Sequence, residues 1–144
     1  MSHILLIEDN QSDINFFIDI IGTLGYQLTS ATSFSEAQNY VTAHPSRYDI
    51  ILINSSIYKT TSTEKLQKTL SLSPPETPFI LLSAPDNHDV IANALDSGAT
   101  SIIHQPYHPP VIASLLAQTL KQKQINDNIY HALRRHQRVF SFAT

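Results

Sequence analysis

Short runs of consecutive apolar residues constrain the fold of this chain more than any other feature. Three of them, Ile4–Ile7, Ile50–Ile53 and Pro78–Leu82, contain no polar residue. Because a strand with one wet face would alternate apolar and polar residues, an uninterrupted run predicts a strand that is buried on both faces. A weaker second strand is predicted over Gln27–Ala31, and a fifth strand over Thr100–His104. Strands of this kind belong to parallel sheets that helices cover on both sides.

Amphipathic segments alternate with these runs and predict helices. The predicted buried faces are Ile14, Phe17, Ile18 and Ile21; Ala37, Tyr40 and Val41; Leu66 and Leu70; Val90, Ile91, Ala94 and Leu95; and Ile112, Leu115, Leu116 and Leu120. Ser33 and Glu36 have the spacing of a capping box, and a Thr/Ser-rich loop is expected before Leu66. Strict alternation predicts an α/β fold with a doubly wound five-stranded parallel sheet.

Composition excludes several classes of protein. The chain of 144 residues has no cysteine, which excludes disulfides and cysteine-based metal or redox sites. No apolar run approaches the roughly 18 residues of a membrane span, so we expect no membrane partner and a cytoplasmic location. Residues 1–120 contain 4 basic and 11 acidic residues, whereas residues 121–144 contain 5 and 1. This asymmetry predicts a separate role for the C-terminal segment.

Polar residues follow four of the predicted strands at the points where the apolar runs end. They are Glu8 and Asp9, Asn54, Ser83, and Gln105. The carboxyl ends of parallel strands share one edge of the sheet, where ligands bind. Two adjacent carboxylates need a cation or a hydrogen-bond donor nearby, and their hard oxygen ligands favour Mg²⁺. Asn54, by contrast, has an amide that is neither a nucleophile nor a base.

Four segments resemble, in their order and spacing, the receiver domain of two-component response regulators (CheY-like proteins). They are ILLIEDN (4–10), DIILIN (49–54), PFILLSA (78–84) and GATSIIHQPY (98–107). The resemblance covers residues 3 to about 122 and implies a flavodoxin-like fold with five βα units and a role in signal transduction or a phosphorelay. We therefore expect a receiver-like domain over 1–122 and a helical extension or linker over 123–144.

The resemblance also implies a site. In the family, an acidic pair binds Mg²⁺, an aspartate accepts a phosphoryl group, a Ser/Thr hydroxyl and an aromatic ring act as switches, and a lysine pairs with the phosphate. By position these correspond to Glu8 and Asp9 (the acidic pair), Asn54 (the phosphoacceptor), Ser83 (the hydroxyl), Ile102 (the ring) and Gln105 (the lysine). Glu8, Asp9 and the Ser56 carbonyl would bind Mg²⁺ weakly at best, and no other cofactor is expected.

Asn54 and Gln105 change the chemistry that such a site can perform. An amide cannot form a stable acyl phosphate, and without the lysine no cation stabilises charge on the phosphoryl oxygens. Both amides can instead donate hydrogen bonds to the carboxylates or to each other. We therefore expect a pseudo-receiver, a non-enzymatic regulatory module that acts by protein–protein contact or dimerisation without phosphorylation. The alternative is a conventional phospho-receiver with a non-standard acceptor.

Three of these residues also have simpler interpretations. Glu8 and Asp9 would interact favourably with the dipole of the first helix without binding a metal. Ser83 would cap the turn before Asp86 without acting as a switch. Both interpretations stay open at the level of the sequence.

The C-terminal segment has apolar residues at imperfect helical spacing, followed by arginines, and a polar break at 121–124. The apolar residues are Leu120, Ile125, Ile129, Leu133 and Phe140, and the arginines are Arg134, Arg135 and Arg138. We expect the last helix to continue and to pair with a second copy as a homodimer, along a seam of Leu116, Leu120, Ile129 and Leu133.

Other roles of this segment are a helix that folds back on its own domain and a basic arm for nucleic acid. We expect no direct nucleic-acid partner, because the segment is too short for a DNA-binding fold and has no interleaved aromatic residues. A further expected partner is a fused output domain, or a separate signalling protein, beyond the C-terminal segment.

Overall fold

A computed structural model of the chain describes the backbone of residues 1–143 and the side chains of residues 1–137. The strands are β1 (His3–Ile7), β2 (Gln27–Ala31), β3 (Ile50–Asn54), β4 (Phe79–Ser83) and β5 (Ser101–His104). They form a parallel sheet with the order β2-β1-β3-β4-β5. The predicted doubly wound sheet is therefore confirmed.

Helices cover both faces of this sheet. They are α1 (Gln11–Thr23), α2 (Phe34–Ala43), α3 (Ser55–Thr60), α4 (Thr63–Leu70), α5 (His88–Asp96) and α6 (Pro109–Ala143). Within the described part of the chain, no helix has the length and apolar character that crossing a membrane requires.

The alternation of side chains along the strands divides the core into two layers. Leu5, Ile51 and Leu81 lie in the layer that α2, α3, α4 and α5 cover. Leu6 and Leu52 lie in the opposite layer, which α1 and α6 cover. Since both faces of the central strands are buried, every position in them favours an apolar side chain, which explains the continuous runs in the sequence.

Local signals define several helix ends. The Ser33 hydroxyl accepts a bond from the Glu36 amide at 3.1 Å, as the capping-box spacing predicts. The Glu36 carboxylate accepts from the Tyr40 hydroxyl at 3.3 Å instead of returning to the start of the helix. Gly25 and Gly98, just past α1 and α5, have φ angles of +85° and +103°, a conformation that glycine adopts without strain.

Two helical faces differ from the prediction. Ile18 and Leu95 were predicted to face the core, but their side chains are 48% and 49% exposed. The segment expected to be a Thr/Ser-rich loop is largely helical, because α3 begins directly after β3 and ends before α4. The spacing of Ile18 and of Leu95 is compatible with a buried helical face, but the width of that face depends on how each helix lies on the sheet.

The last helix is continuous through the predicted polar break at 121–124. A salt bridge of 2.8 Å between Lys123 and Asp127 spans this region. Gln122, Lys123 and Asn126 still line a small cavity of about 170 Å³ with the loop that contains Pro75. The helix therefore runs on from the body, by which we mean the sheet, α1 to α5 and α6 up to Asn126.

The predicted dimer seam is partly wrong. Leu116 is fully buried in the core of the body, and Leu120 packs against the same core. Neither side chain is free to form a seam. Among the side chains of the extension that the structure describes, the large exposed apolar ones are Ile125, Ile129 and Leu133, at 42%, 53% and 58%. The side chains of Arg138 and Phe140 lie outside the described residues.

Candidate functional site

The register of two neighbouring strands places the central residues of the site together. β1 and β3 pair with Ile7 opposite Ile53, so the next residues, Glu8 and Asn54, lie side by side at the carboxyl edge of the sheet. A cavity of about 260 Å³ opens at this edge. The residues lining it are Glu8, Asp9, Asn10, Asp13, Asn54, Ser55, Ser56, Leu82, Ala84 and Gln105.

The Asn54 amide connects the two carboxylates. Its nitrogen Nδ2 donates to Glu8 Oε1 at 2.6 Å and to Asp9 Oδ1 at 3.2 Å. Its oxygen Oδ1 accepts from the backbone N–H of Ile57 at 2.8 Å and caps α3. Because a backbone N–H can only donate, this last bond fixes which end of the amide faces the carboxylates. The prediction that Asn54 donates to the acidic pair is confirmed.

Glu8 is a buried carboxylate, with 1% of the residue exposed. Its Oε1 also accepts from the backbone N–H of Asn10 at 3.1 Å. Burial raises the pKa of the Glu8 carboxyl, while the hydrogen bonds from Asn10 and Asn54 oppose the shift and the charges of Asp13 and Asp9 add to it. The charge on Glu8 is thus tolerated in the folded protein through donated hydrogen bonds.

This pKa shift predicts how stability depends on pH. Because the folded carboxyl has the higher pKa, the folded state binds more protons than the unfolded state between the two values. The contribution of Glu8 to the free energy of unfolding is therefore greatest below its ordinary pKa of 4.5 and falls as the pH rises through the raised value.

We expect Glu8→Gln to increase the free energy of unfolding at pH 7. The variant should also lack the part of the decrease in this free energy with rising pH that the Glu8 carboxyl causes. A glutamine oxygen can accept both bonds that Glu8 Oε1 accepts, without the buried charge. Urea unfolding of both proteins between pH 4 and 8 measures the difference, and Asp19→Asn, at an exposed position on α1, is the matched control. A Glu8→Gln protein that is less stable than the parent at pH 7 would contradict this account.

Gln105 lies at the cavity but bonds elsewhere. Its Nε2 donates to the hydroxyl of Tyr107 at 3.2 Å, so the prediction that it donates to the carboxylates or to Asn54 is wrong. Tyr107 lies against Phe16 and Phe17, with ring centroids 5.9 and 5.0 Å away. Burial raises the pKa of the Tyr107 hydroxyl far above its usual range. The neutral hydroxyl therefore gives Gln105 a partner that the sequence pattern does not indicate.

The other predicted site residues occupy less direct positions. Ser83 is buried, and its hydroxyl donates to the Ala84 carbonyl at 3.0 Å. Ile102 is partly buried against the core layer under α5. Ser56 lines the cavity but lies in the first turn of α3, where carbonyls point along the helix axis away from its N-terminus. The switch roles of Ser83 and Ile102 and the ligand role of Ser56 stay predictions.

Three residues of the site were not predicted from the sequence, namely Asn10, Asp13 and Tyr107. Asn10 caps α1 by accepting from the Asp13 amide at 3.0 Å, and both residues line the cavity. The spacing of Asn10 and Asp13 is a helix-start signal that would have located them. Tyr107 carries no comparable signal, because its role depends on the aromatic residues of α1.

Comparison with known proteins identifies the family. A family model for the response regulator receiver domain matches residues 4–127. The chain therefore belongs to the response regulator receiver domain family, which confirms the resemblance of its sequence segments. The comparison with curated proteins gave no match.

Solved structures share this fold at low sequence identity. A receiver domain protein from Clostridium thermocellum is 17% identical, with a TM-score of 0.76 over 87% of this chain and 98% of that chain. The receiver domain of a sensor histidine kinase from Pseudomonas aeruginosa, which has a magnesium ion coordinated in its active site cleft, is 21% identical, with a TM-score of 0.69 over 83% and 98%. A fusion containing a trimeric coiled coil of yeast Spc42 is 18% identical, with a TM-score of 0.76 over 99% and 94%.

The arrangement around Asn54 is a poor fit for the magnesium ion that the family implies. The amide nitrogen already donates to Glu8 and Asp9, so a cation would compete with a bound donor for the same oxygens. Among the described residues, no group of three or more His, Cys, Asp or Glu side chains is placed to hold a metal ion. Asp13 lines the cavity, but it does not complete such a group.

We expect Mg²⁺ to bind in the millimolar range or more weakly, which corresponds to at most about 4 kcal/mol. The melting temperature should hardly change on addition of 1 mM Mg²⁺ at constant ionic strength. Asn54→Asp removes the competing donor and adds an oxygen ligand, so its melting temperature should respond more strongly. Micromolar binding by the parent protein would show that the amide does not compete in this way.

Proposed function

We propose that this receiver domain is a phosphorylation-independent pseudo-receiver, a regulatory module of a two-component-type protein that acts by protein contact. The observation that supports this most directly is the Asn54 amide, which occupies the expected phosphoacceptor position. It bonds both members of the acidic pair and caps α3. These three hydrogen bonds of the Asn54 side chain hold the site in one arrangement.

The chemistry of the site supports the same proposal. Phosphoryl transfer to a receiver forms an acyl phosphate, which requires a carboxylate nucleophile. None of the side chains that the structure describes around the cavity is basic, so charge on a phosphoryl group would lack a cationic partner. Glu8, Asp9 and Asp13 would repel an incoming phosphodonor instead.

A conventional phospho-receiver with a different acceptor is the alternative. The observation that favours it is the presence of the Asp9 and Asp13 carboxylates at the same cavity. Either would have to attack without a lysine and beside other negative charges. An attached phosphoryl group on a peptide containing Asp9 or Asp13 would support the alternative over the pseudo-receiver.

Phosphorylation is tested directly by intact mass. Incubated with Mg²⁺ and acetyl phosphate, the protein should gain no phosphoryl group, because Asn54 is not a nucleophile. Asn54→Asp alone should be modified poorly, since Gln105 supplies no cation, and Asn54→Asp with Gln105→Lys should be modified better.

Two outcomes would count against the proposal. A gain of one phosphoryl group by the parent protein would refute phosphorylation independence. Equal modification of the single and double variants would show that the absence of a lysine at position 105 does not limit phosphorylation.

We further propose that α6 presents the contact surface and that its partner is a second copy of the chain. The exposed residues Ile125, Ile129 and Leu133 recur every four residues on α6, and the last two lie beyond the body. An isolated helix of this length is marginal in water, so burial against a partner would stabilise it. A fully buried apolar side chain of this kind contributes roughly 1.5–3 kcal/mol, and these are about half exposed. Six such side chains at a two-fold interface would support a modest dimer.

A shortened chain tests this role of α6. We expect the full chain to be dimeric at tens of micromolar and a chain ending at Asn128 to be mainly monomeric in sedimentation experiments. Asn128 is chosen because the shortened chain keeps Lys123 and Asn126, which line a cavity with the body, and the whole family match. Ile129→Ser with Leu133→Ser in the full chain should have the same effect as the truncation. Two monomeric proteins would show that α6 is not the contact surface.

A further inference from the structure

We propose that the extension of α6 pairs with the same segment of a second copy as a parallel, in-register, two-chain coiled coil whose register Asn126 determines. This inference rests on the proposed function, which makes α6 the contact surface. It adds the orientation, the alignment and the number of the chains.

The exposed residues define the seam. Asn126, Ile129 and Leu133 follow one another at intervals of three and four residues, which is the spacing of core positions in a coiled coil. All three are exposed in the single chain, and Ile125 flanks them. We call these four residues the stripe. Ile125 and Asn126 lie at the end of the body, where Asn126 still lines a cavity with the loop that contains Pro75, and Ile129 and Leu133 lie beyond it. All four side chains are exposed, so a partner helix can reach them.

Asn126 is the feature that selects the alignment. Its Oδ1 accepts from Gln122 Nε2 at 3.0 Å in the single chain. Its own amide nitrogen can donate across a seam, and an amide is both donor and acceptor, so Asn126 is complementary to itself. In a parallel, in-register pair the two copies of Asn126 meet at the same level of the seam. A polar residue at one core position of a coiled coil specifies register and oligomeric state at some cost in stability.

The position of the body allows this pairing. The residues of α6 that face the body include Ile112, Leu116 and Thr119, which are buried. At 3.6 residues per turn, the centre of the stripe lies roughly a quarter of a turn around the helix from these residues, and Asn126, seven positions after Thr119, lies at the edge of the stripe nearest the body. Around a two-fold axis parallel to the helices, the two bodies would therefore lie on opposite sides of the coiled coil and would not collide.

The positive charges of the extension are also compatible with a parallel pair. Arg134 and Arg135 lie on the side of α6 that faces away from the stripe, since they are separated from Ile129 and Leu133 by one, two, five or six positions. The Arg134 guanidinium lies 5.9 Å from the centre of the Tyr130 ring. The basic groups of two parallel helices would thus point outward and remain in water.

Single cysteines provide a sharp test, because the chain has no cysteine of its own. In a parallel in-register pair, residue 126 of one copy faces residue 126 of the other. We expect Asn126→Cys to be converted mostly to a disulfide-linked dimer under mild oxidation at tens of micromolar. Gln124→Cys, on the opposite side of α6, is the matched control and should stay monomeric on a non-reducing gel.

A second variant tests the role of the amide. Asn126→Leu should associate more tightly than the parent but should no longer populate a single oligomeric state in sedimentation equilibrium. An Asn126→Leu protein that remains only dimeric would refute the register role of Asn126. The full chain without substitution should have the mass of a dimer, and a trimeric or tetrameric mass would refute the two-chain arrangement.

Failure of this inference is distinguishable from failure of the proposed function. A full chain that is dimeric while Asn126→Cys does not cross-link would show an antiparallel or different interface, and would overturn this inference alone. Phosphorylation of the parent protein would overturn the pseudo-receiver even if Asn126→Cys cross-links. Equal cross-linking of Gln124→Cys and Asn126→Cys would show random collision and overturn the inference.

Discussion

Two neighbouring carboxylates at the end of a parallel strand repel each other, and in this molecule one amide donates a hydrogen bond to each of them. Asn54 donates to Glu8 and Asp9 and accepts from the first turn of α3. The same side chain therefore stabilises the two carboxylates through hydrogen bonds and caps the start of α3. An aspartate could cap α3 equally well, but it would add a third negative group without a donor.

Other contacts depend on the position of α3. Tyr58, in the middle of that helix, stacks on Phe79 of β4 at 6.1 Å and donates to Asn93 of α5 at 2.7 Å. A continuous set of packed and hydrogen-bonded groups thus connects Asn54 to α5 on one side of the sheet. The buried hydroxyl of Ser83 and the pair formed by Gln105 and Tyr107 complete the edge. Each of these polar groups has its partner inside the molecule.

Much of the fold was predictable because burial on both faces leaves a direct mark on a sequence. The short runs around Leu6, Leu52 and Leu81 predicted strands of a covered parallel sheet, and the ends of those strands then placed Glu8 and Asn54 at one edge. The exposure of Ile18 and Leu95 was not predictable, since it depends on how far each helix tilts over the sheet. The position of Gln105 at the carboxyl edge of the sheet was likewise not enough to predict that its side chain donates to Tyr107.

Leu116 illustrates the same limit in the last helix. Its spacing with Leu120 suits either the core or a seam, and only packing against α1 and the sheet decides between them. The buried residues and the stripe are then two faces of one helix, related by a fixed phase of about 100° per residue. An insertion of one residue between Thr119 and Asn126 would rotate the stripe by about 100°, toward the side of α6 that faces the body. An insertion of seven residues would return the stripe almost to its original direction. The connection between Thr119 and Asn126 can therefore change in length by seven residues but not by one.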